Sequence, residues 1–250
     1  MEAVVIIPAR YGAERLPGKP ILEAAREVTG KYIIQHVYES AARAPSVNEV
    51  IVATDDERIL AAVESFGGRA RMTRPNHASG TDRIAEVAAE LDAPVIVNVQ
   101  GDEPEIRPEQ VEQVIGLLAE DERTMMGTLA HPIESETEWR DPNVVKVLLD
   151  AEGCALCFTR SPVPFAREAG GWSPDAPARP LRHLGIYSYR RDFLLRYAQL
   201  PPAPLERTEK LEQLRALSAG YRIRVGITPY ACIGIDTPED LEAWLARHRA

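Results

Sequence analysis

The order of elements predicts an α/β protein: a mostly parallel sheet flanked by helices, with an inserted antiparallel-rich half. Three observations carry this. Residues 3–8 form an unbroken apolar run, as a strand buried on both faces requires. Apolar runs and amphipathic helical segments then alternate through the first two-thirds of the chain, the pattern of a parallel sheet covered on both faces. After Met125 the alternation stops, and two apolar runs, 144–149 and 154–159, flank Asp150-Ala-Glu-Gly153, which reads as a β-hairpin with a short turn.

Taken in order, 32–44 has helical spacing through Ile33, Ile34, Val37 and Ala41. Residues 49–54 read as a strand, 56–66 as a helix with Ile59, Leu60 and Val63 on one side, and 69–73 as a short strand. A helix is predicted over 81–91 through Ile84, Val87, Ala88 and Leu91, and a buried strand over 95–99. Residues 108–119 follow as a helix, with Pro108 in its first turn. Beyond the hairpin, the Pro- and Gly-rich stretch 162–180 predicts a long loop that orders on binding. A strand (184–189), two helices (192–200 and 205–219), a strand (223–228) and a last helix (238–248) complete the chain. It shows no internal repeat.

The bulk composition agrees. Of 250 residues, 45% are apolar and 27% charged, enough for a substantial core. The first apolar run is about six residues long and carries Glu2 and no basic leader, unlike a signal or membrane segment, so a cytoplasmic protein is expected. The net charge of −9 argues against a nucleic-acid partner. Any anionic ligand then needs locally gathered cations or a metal. Three cysteines cannot form a complete disulfide framework. Cys154 and Cys157 lie three apart on a strand, so they point to opposite faces, and buried thiols are expected rather than a zinc or redox pair.

Chemistry concentrates at the ends of predicted strands, where ligands of open α/β sheets sit. Pro8-Ala-Arg-Tyr-Gly-Ala-Glu-Arg-Leu-Pro-Gly-Lys19 follows the first strand directly. It offers Arg10, Arg15 and Lys19, with Gly12 and Gly18 permitting close backbone approach, a combination suited to polyphosphate. A solvated basic loop is the plain alternative. Neither a G-x-x-x-x-G-K-[ST] nor a G-x-G-x-x-G follows this strand, which sets aside a P-loop NTPase and a dinucleotide oxidoreductase. In Val97-Asn-Val-Gln-Gly-Asp-Glu-Pro104, Asp102 stands at the same sheet edge, either to hold Mg²⁺ against phosphate or as an ordinary turn or cap residue. Asp236 precedes a helix whose cap is already supplied by Thr237, with Pro238 at its first position and Asp240 at its third. Its carboxylate therefore needs another role.

Period two puts His183, Gly185, Tyr187 and Tyr189 on one strand face, polar and aromatic enough for a polyhydroxylated ligand, although a satisfied core histidine is the ordinary reading. Ser79 is a natural N-cap with Asp82 three residues on. Arg160, at a strand end, and Glu212, within a long helix, read as surface charges.

These motifs, with Val52-Ala-Thr-Asp55, Arg182-His-Leu-Gly-Ile-Tyr187, Lys210-Leu-Glu-Gln-Leu-Arg215 and Asp236-Thr-Pro-Glu-Asp-Leu241, occur in one order. Together they resemble the 3-deoxy-manno-octulosonate cytidylyltransferases, the CMP-Kdo synthetases, from Val4 to about Leu241. The stretches 24–34 and 170–178 do not match. The resemblance implies a nucleotide-diphospho-sugar transferase fold and transfer of CMP from CTP to Kdo for lipopolysaccharide biosynthesis. It implies that Ala9, Arg10 and Lys19 meet the triphosphate and base edge, and that Arg74, Ser79, Gly80 and Asp82 line the cytidine side. Gln100, Arg160, His183, Tyr187 and Glu212 would hold the sugar acid. Asp102 and Asp236 would bind Mg²⁺, with Arg10, Lys19 and Asp102 carrying catalysis. It also implies a homodimer formed through the hairpin-bearing part, 125–220, with 1–124 and 221–250 as the nucleotide-binding part of one domain. Two rivals remain: a cytidylyltransferase for another acidic sugar, 8-amino-Kdo or sialic acid-like, and a catalytically silent nucleotide sensor.

Overall fold

The computed structural model describes residues 2–12, 16–77 and 79–249, so Arg15 of the first loop lies outside the described residues. Helices cover both faces of one sheet. In chain order the elements are β1 (Ala3–Ala9), α1 (Glu23–Thr29), α2 (Ile33–Ala42), β2 (Val47–Thr54), α3 (Glu57–Ser65), β3 (Ala70–Met72), α4 (Gly80–Ala89), β4 (Val95–Asn98) and α5 (Pro108–Glu120). Then come β5 (Met126–Pro132), α6 (Glu136–Arg140), β6 (Lys146–Leu149), β7 (Ala155–Thr159), β8 (Leu181–Arg190), α7 (Arg191–Tyr197), α8 (Pro204–Glu209), α9 (Leu214–Ser218), β9 (Ile223–Ile227) and α10 (Pro238–His248).

The sheet runs β3-β2-β1-β4-β8-β5-β9. The first four strands are parallel, β8 is antiparallel to both β4 and β5, and β9 is parallel to β5. The β6–β7 hairpin forms antiparallel as expected and joins β8 where Lys146 faces Arg182. The alternation of β1 sorts the core: Val5 and Ile7 pack with α2, α3 and α5, while Val4 and Ile6 pack with α4, α7 and α9. A third cluster, Ala25, Ile33, Ile235, Leu241 and Trp244, holds α10 against α1 and α2. No helix among the described residues is long and apolar enough to cross a membrane.

The differences from the sequence reading have local causes. The helix α1 was not expected: Ala25 is its one buried residue, so it carries almost no amphipathic signal. The strand β5 was not expected either, because Gly127, His131 and Pro132 weaken its strand signature. Gly127 is there for packing, since a Cβ would come within 2.8 Å of Ser188 Oγ. The helix predicted over 205–219 is broken. Lys210 takes a left-handed φ of 55°, ending α8, and α9 restarts at Leu214. Glu212 thus lies in the intervening turn, and the reading of it as a surface charge fails: its Oε1 is buried. The three thiols are free, Cys154 and Cys232 buried and Cys157 half-buried. After residue 221 the chain adds β9 on the outer edge beside β5, and then α10 packed beside α1.

Candidate active site

Where β1 ends, the chain turns back on itself. Gly18 adopts φ 70°, and its N–H donates to Tyr11 O at 2.8 Å. A Cβ at Gly18 would lie 3.0 Å from the Tyr11 ring, so both the conformation and the space favour glycine. The turn returns Lys19 beneath the strand ends, where it is buried. Its Nζ donates to Asp102 Oδ2 at 2.5 Å and to Asp236 Oδ1 at 3.0 Å. Asp102 follows β4. The approach depends on Gly101, where a Cβ would meet Pro8 O at 3.2 Å. Asp102 O accepts from Ile235 N at 2.9 Å, drawing Asp236 alongside. The predicted cap of α10 is present: Thr237 Oγ1 accepts from Asp240 N at 3.2 Å, while Asp240 Oδ2 accepts from Asp236 N and Thr237 N. Behind this group Glu103 is pushed up to about 7, first by burial and then by the charge of Asp102, and it accepts from Cys232 Sγ.

A cleft of ≈ 450 Å³ opens over these residues. Ala9, Arg10, Lys19, Ser79, Gly80, Gln100, Asp102 and Asp236 all line it. One wall is the start of α4. Ser79 Oγ accepts from Asp82 N at 3.1 Å, the predicted cap, and the remaining first-turn N–H groups and the helix dipole favour an anion there. At the other end of α4, Arg191 donates to Ala88 O and Ala89 O at 2.9 and 3.0 Å, closing the helix and fixing its axis.

A second cleft, ≈ 250 Å³, shares Gly80 and Gln100 with the first. Tyr187, Tyr189, Tyr197, Glu212 and Gln213 line it, with Asn98 at its floor. Its shape depends on an irregularity in β8, where Thr128 pairs with Tyr187 but Leu129 pairs with Leu184. Thr128 Oγ1 fills the gap, 2.8 Å from Ile186 O and 3.0 Å from His183 Nε2. A Cβ on Gly185 would stand 3.1 Å from Glu103 Oε1. Burial raises the Glu212 carboxyl, and its Oε1 has no partner among the described residues. Such an oxygen is costly unless a ligand donates to it.

The His183 ring sits between Phe158 and Tyr187, with centroids 5.0 and 5.3 Å away, and burial pushes it down to about 3. It is therefore neutral at physiological pH. We expect its ring resonances to stay flat between pH 5 and 8 in an NMR titration; a midpoint inside that window would overturn this assignment.

Four of the residues named from sequence, His183 among them, line neither cleft. Arg74 is 77% exposed at its side chain and pairs with Glu86. Asp82 is half-buried on α4. Arg160 is held by the hairpin half, donating to Glu209 O and Pro142 O at 2.8 Å each. Sequence reasoning missed His77 and Arg83, which line the first cleft, and Tyr197 and Gln213, which line the second. Arg83 is buried and engaged by Asp55 at 2.7 Å and by Thr73. Its position directly after Ser79-Gly-Thr-Asp82 was the available signal.

A strand-end loop carrying Arg10 and Lys19, two carboxylates on one cation and an adjoining cleft suit nucleotidyl transfer. The family model described as cytidylyltransferase matches residues 4–223, and the chain belongs to that family. Within it the chain groups with the 3-deoxy-manno-octulosonate cytidylyltransferases. It is 54% identical over 252 residues to the one from Geotalea uraniireducens, with 99% of each chain covered. It is 52% identical over 244 residues to that of Syntrophotalea carbinolica, with 96% of each covered. A solved CMP:2-keto-3-deoxy-manno-octonic acid synthetase complexed with CTP superposes with a TM-score of 0.90 at 47% identity, covering 99% of this chain and 98% of that one. The 4-diphosphocytidyl-2C-methyl-D-erythritol synthase of Anaerococcus prevotii, 14% identical with a TM-score of 0.64, shares the fold, covering 100% of this chain and 99% of that one.

Proposed function

We propose that the chain transfers CMP from CTP to the anomeric hydroxyl of 3-deoxy-D-manno-octulosonate, releasing pyrophosphate, in the cytoplasm and for lipopolysaccharide assembly. The observation that carries this reading is the pair of adjoining clefts sharing Gly80 and Gln100. Attack on an α-phosphorus requires nucleotide and sugar to meet in just such a continuous space.

In this reading Arg10, Lys19 and the start of α4 receive the triphosphate and stabilise charge building on the departing pyrophosphate. Lys19 passes its ammonium from the two carboxylates to phosphate oxygens as CTP enters. Among the described residues no group of three metal-binding side chains is gathered. Mg²⁺, however, commonly uses one or two carboxylates and takes its other ligands from phosphates and water. Asp102 and Asp236 already converge on one cation, Lys19 Nζ, and their hard oxygens fit that ion. Mg²⁺ held there would supply further neutralisation of the phosphate oxygens. The unpaired Glu212 oxygen and the tyrosine hydroxyls would hold the sugar. His183, kept neutral and packed against Tyr187 outside the cleft lining, would act on the sugar through that ring and removes no proton. No side-chain nucleophile is needed.

The deciding experiment is pyrophosphate release from each of the four NTPs with Kdo, with and without EDTA. We expect release with CTP, loss on chelation and recovery with Mg²⁺. Chelator-resistant turnover would refute the metal assignment. CTP binding without release would favour the sensor, and faster turnover of 8-amino-Kdo or a sialic acid would reassign the sugar. We also propose that two copies pair through 125–220, where Leu156 and Phe165 are each 64% exposed. Sedimentation at single-copy mass would refute that.

A further inference from the structure

Arg10 and Lys19 both line the first cleft, yet they reach it on different stretches of chain. Arg10 follows β1 directly, whereas Lys19 comes back to the strand ends through the turn at Gly18. Tyr11 joins the two. Its carbonyl accepts from Gly18 N at 2.8 Å, and a Cβ on Gly18 would lie 3.0 Å from its ring, so the ring packs directly on that turn. Cations that stabilise developing charge act best when their positions are set before the ligand arrives.

The Tyr11 ring has a second support, from α3. The guanidinium carbon of Arg58 stands 3.3 Å from the ring centroid, over its face. Arg58 is itself gripped. Asp56 accepts from Arg58 Nε at Oδ1 and from Nη2 at Oδ2, at 2.9 and 2.6 Å, a bidentate fork. The same Oδ1 accepts from Arg58 N at 2.9 Å, so the carboxylate that caps α3 also orients the guanidinium. The hydrogen bonds from Arg58 hold Asp56 below its ordinary value, which keeps it ionised. Asp56 N donates to Thr54 Oγ1 at 3.2 Å, and Thr54 pairs with Ala9 where β2 and β1 end. Contacts therefore run from the end of β2 through Asp56, Arg58 and Tyr11 to Gly18, the residue before Lys19.

Neither Arg58 nor Tyr11 lines a cleft, and with Asp56 beside it the guanidinium adds no net charge. Any effect on a nucleotide must pass through Arg10 and Lys19. The Arg58 side chain is 59% exposed, so its fork contributes little to stability. Resting on the cytidylyl-transfer reading above, we propose that Arg58 is a positioning residue: held by Asp56, it clamps the Tyr11 ring on Gly18 and so sets Arg10 and Lys19 at the separation the triphosphate requires.

The test measures KM for CTP and for Kdo, with the melting temperature, in Arg58→Ala, Tyr11→Leu, their double variant, Tyr11→Phe and Asp56→Asn. Arg58→Ala should raise KM for CTP about two- to fivefold, the scale of one exposed cation–π contact, with KM for Kdo and the melting temperature unmoved. The double variant should lose no more than Tyr11→Leu alone, because the second change removes a contact already absent. Tyr11→Phe keeps the aromatic face and should behave as wild type. Asp56→Asn separates position from charge, since it keeps a good helix cap and removes one negative charge. A loosened clamp raises KM for CTP in that variant; attraction by bare charge would lower it. Additive losses, a lowered KM in Asp56→Asn, a Tyr11→Phe variant as impaired as Tyr11→Leu, or a melting temperature that falls in step with affinity would each overturn the proposal. Hydrogen exchange at the Gly18 amide, in protein without nucleotide, should quicken in Arg58→Ala and Tyr11→Leu but not in Tyr11→Phe. Unchanged exchange overturns the clamp whatever the substrate. If wild type releases no pyrophosphate from CTP and Kdo, the transfer reading fails by itself, and the exchange comparison still decides the clamp.

Discussion

Asp102→Asn should lower kcat by at least about a hundredfold while leaving the melting temperature nearly unchanged. The two halves of that expectation have separate sources. Position 102 holds the local structure through its backbone, because its carbonyl accepts from Ile235 N. That bond survives the substitution, as does the ion pair from Lys19 to Asp236. The change removes one negative charge, the one Lys19 contacts most closely, at 2.5 Å. An amide of the same shape binds a hard cation more weakly and no longer balances the ammonium between two carboxylates. The cost therefore falls on organising charge around the triphosphate, and KM for the sugar should move little. Steady-state kinetics beside a thermal melt checks both halves. Wild-type turnover in the variant would remove Asp102 from catalysis; a large loss of stability would show that the carboxylate is structural.

What the sequence made legible was whatever is written in neighbouring residues. The apolar run of β1, the Ser79 cap and the Thr237 cap with Asp240 are each set within a few positions, and each was read correctly. The pairing of Lys19 with Asp102 and Asp236 spans 83 and 217 positions, and only the rule that strand ends converge hinted at it. Elements whose residues serve tertiary contacts stayed hidden. Gly127 weakens the strand signal of β5 because Ser188 occupies the space a side chain would need. Lys210 has no residue signature for its left-handed conformation, so the break that sets Glu212 in the second cleft was invisible. The hydrogen bond between His77 and Glu86 spans nine positions across a turn and a helix start, a separation with no periodic meaning.

The same break makes Glu206→Ala the substitution with the largest expected effect on stability, a loss of about 3–5 kcal/mol. Glu206 on α8 and Arg215 on α9 form a forked pair, with Arg215 Nη2 2.6 Å from Glu206 Oε1 and Nε 3.1 Å from Oε2. The Arg215 and Glu206 side chains are only 8% and 11% exposed, respectively. Truncation leaves the guanidinium buried without its carboxylate, and it also takes the acceptor from Ala203 N. Burial works to raise Glu206, but the Arg215 hydrogen bond outweighs it and the carboxyl lies below its ordinary value. The pair's contribution is therefore present above the carboxyl's unfolded pKa of about 4.3 and is lost as pH falls through the lower folded value. Denaturant melts at neutral and acid pH should show the variant's deficit shrinking in acid. A deficit that is the same at both pH values would mean that lost packing, not charge, is responsible. The pair also fixes the turn between α8 and α9, which delivers Glu212 and Gln213 to the second cleft. A Glu206→Leu, Arg215→Met double variant separates the two roles. Apolar replacement should recover much of the stability. If the turn then keeps its path, affinity for the sugar recovers as well. If stability returns while sugar KM stays high and CTP KM is normal, the fork itself sets the geometry of the sugar cleft.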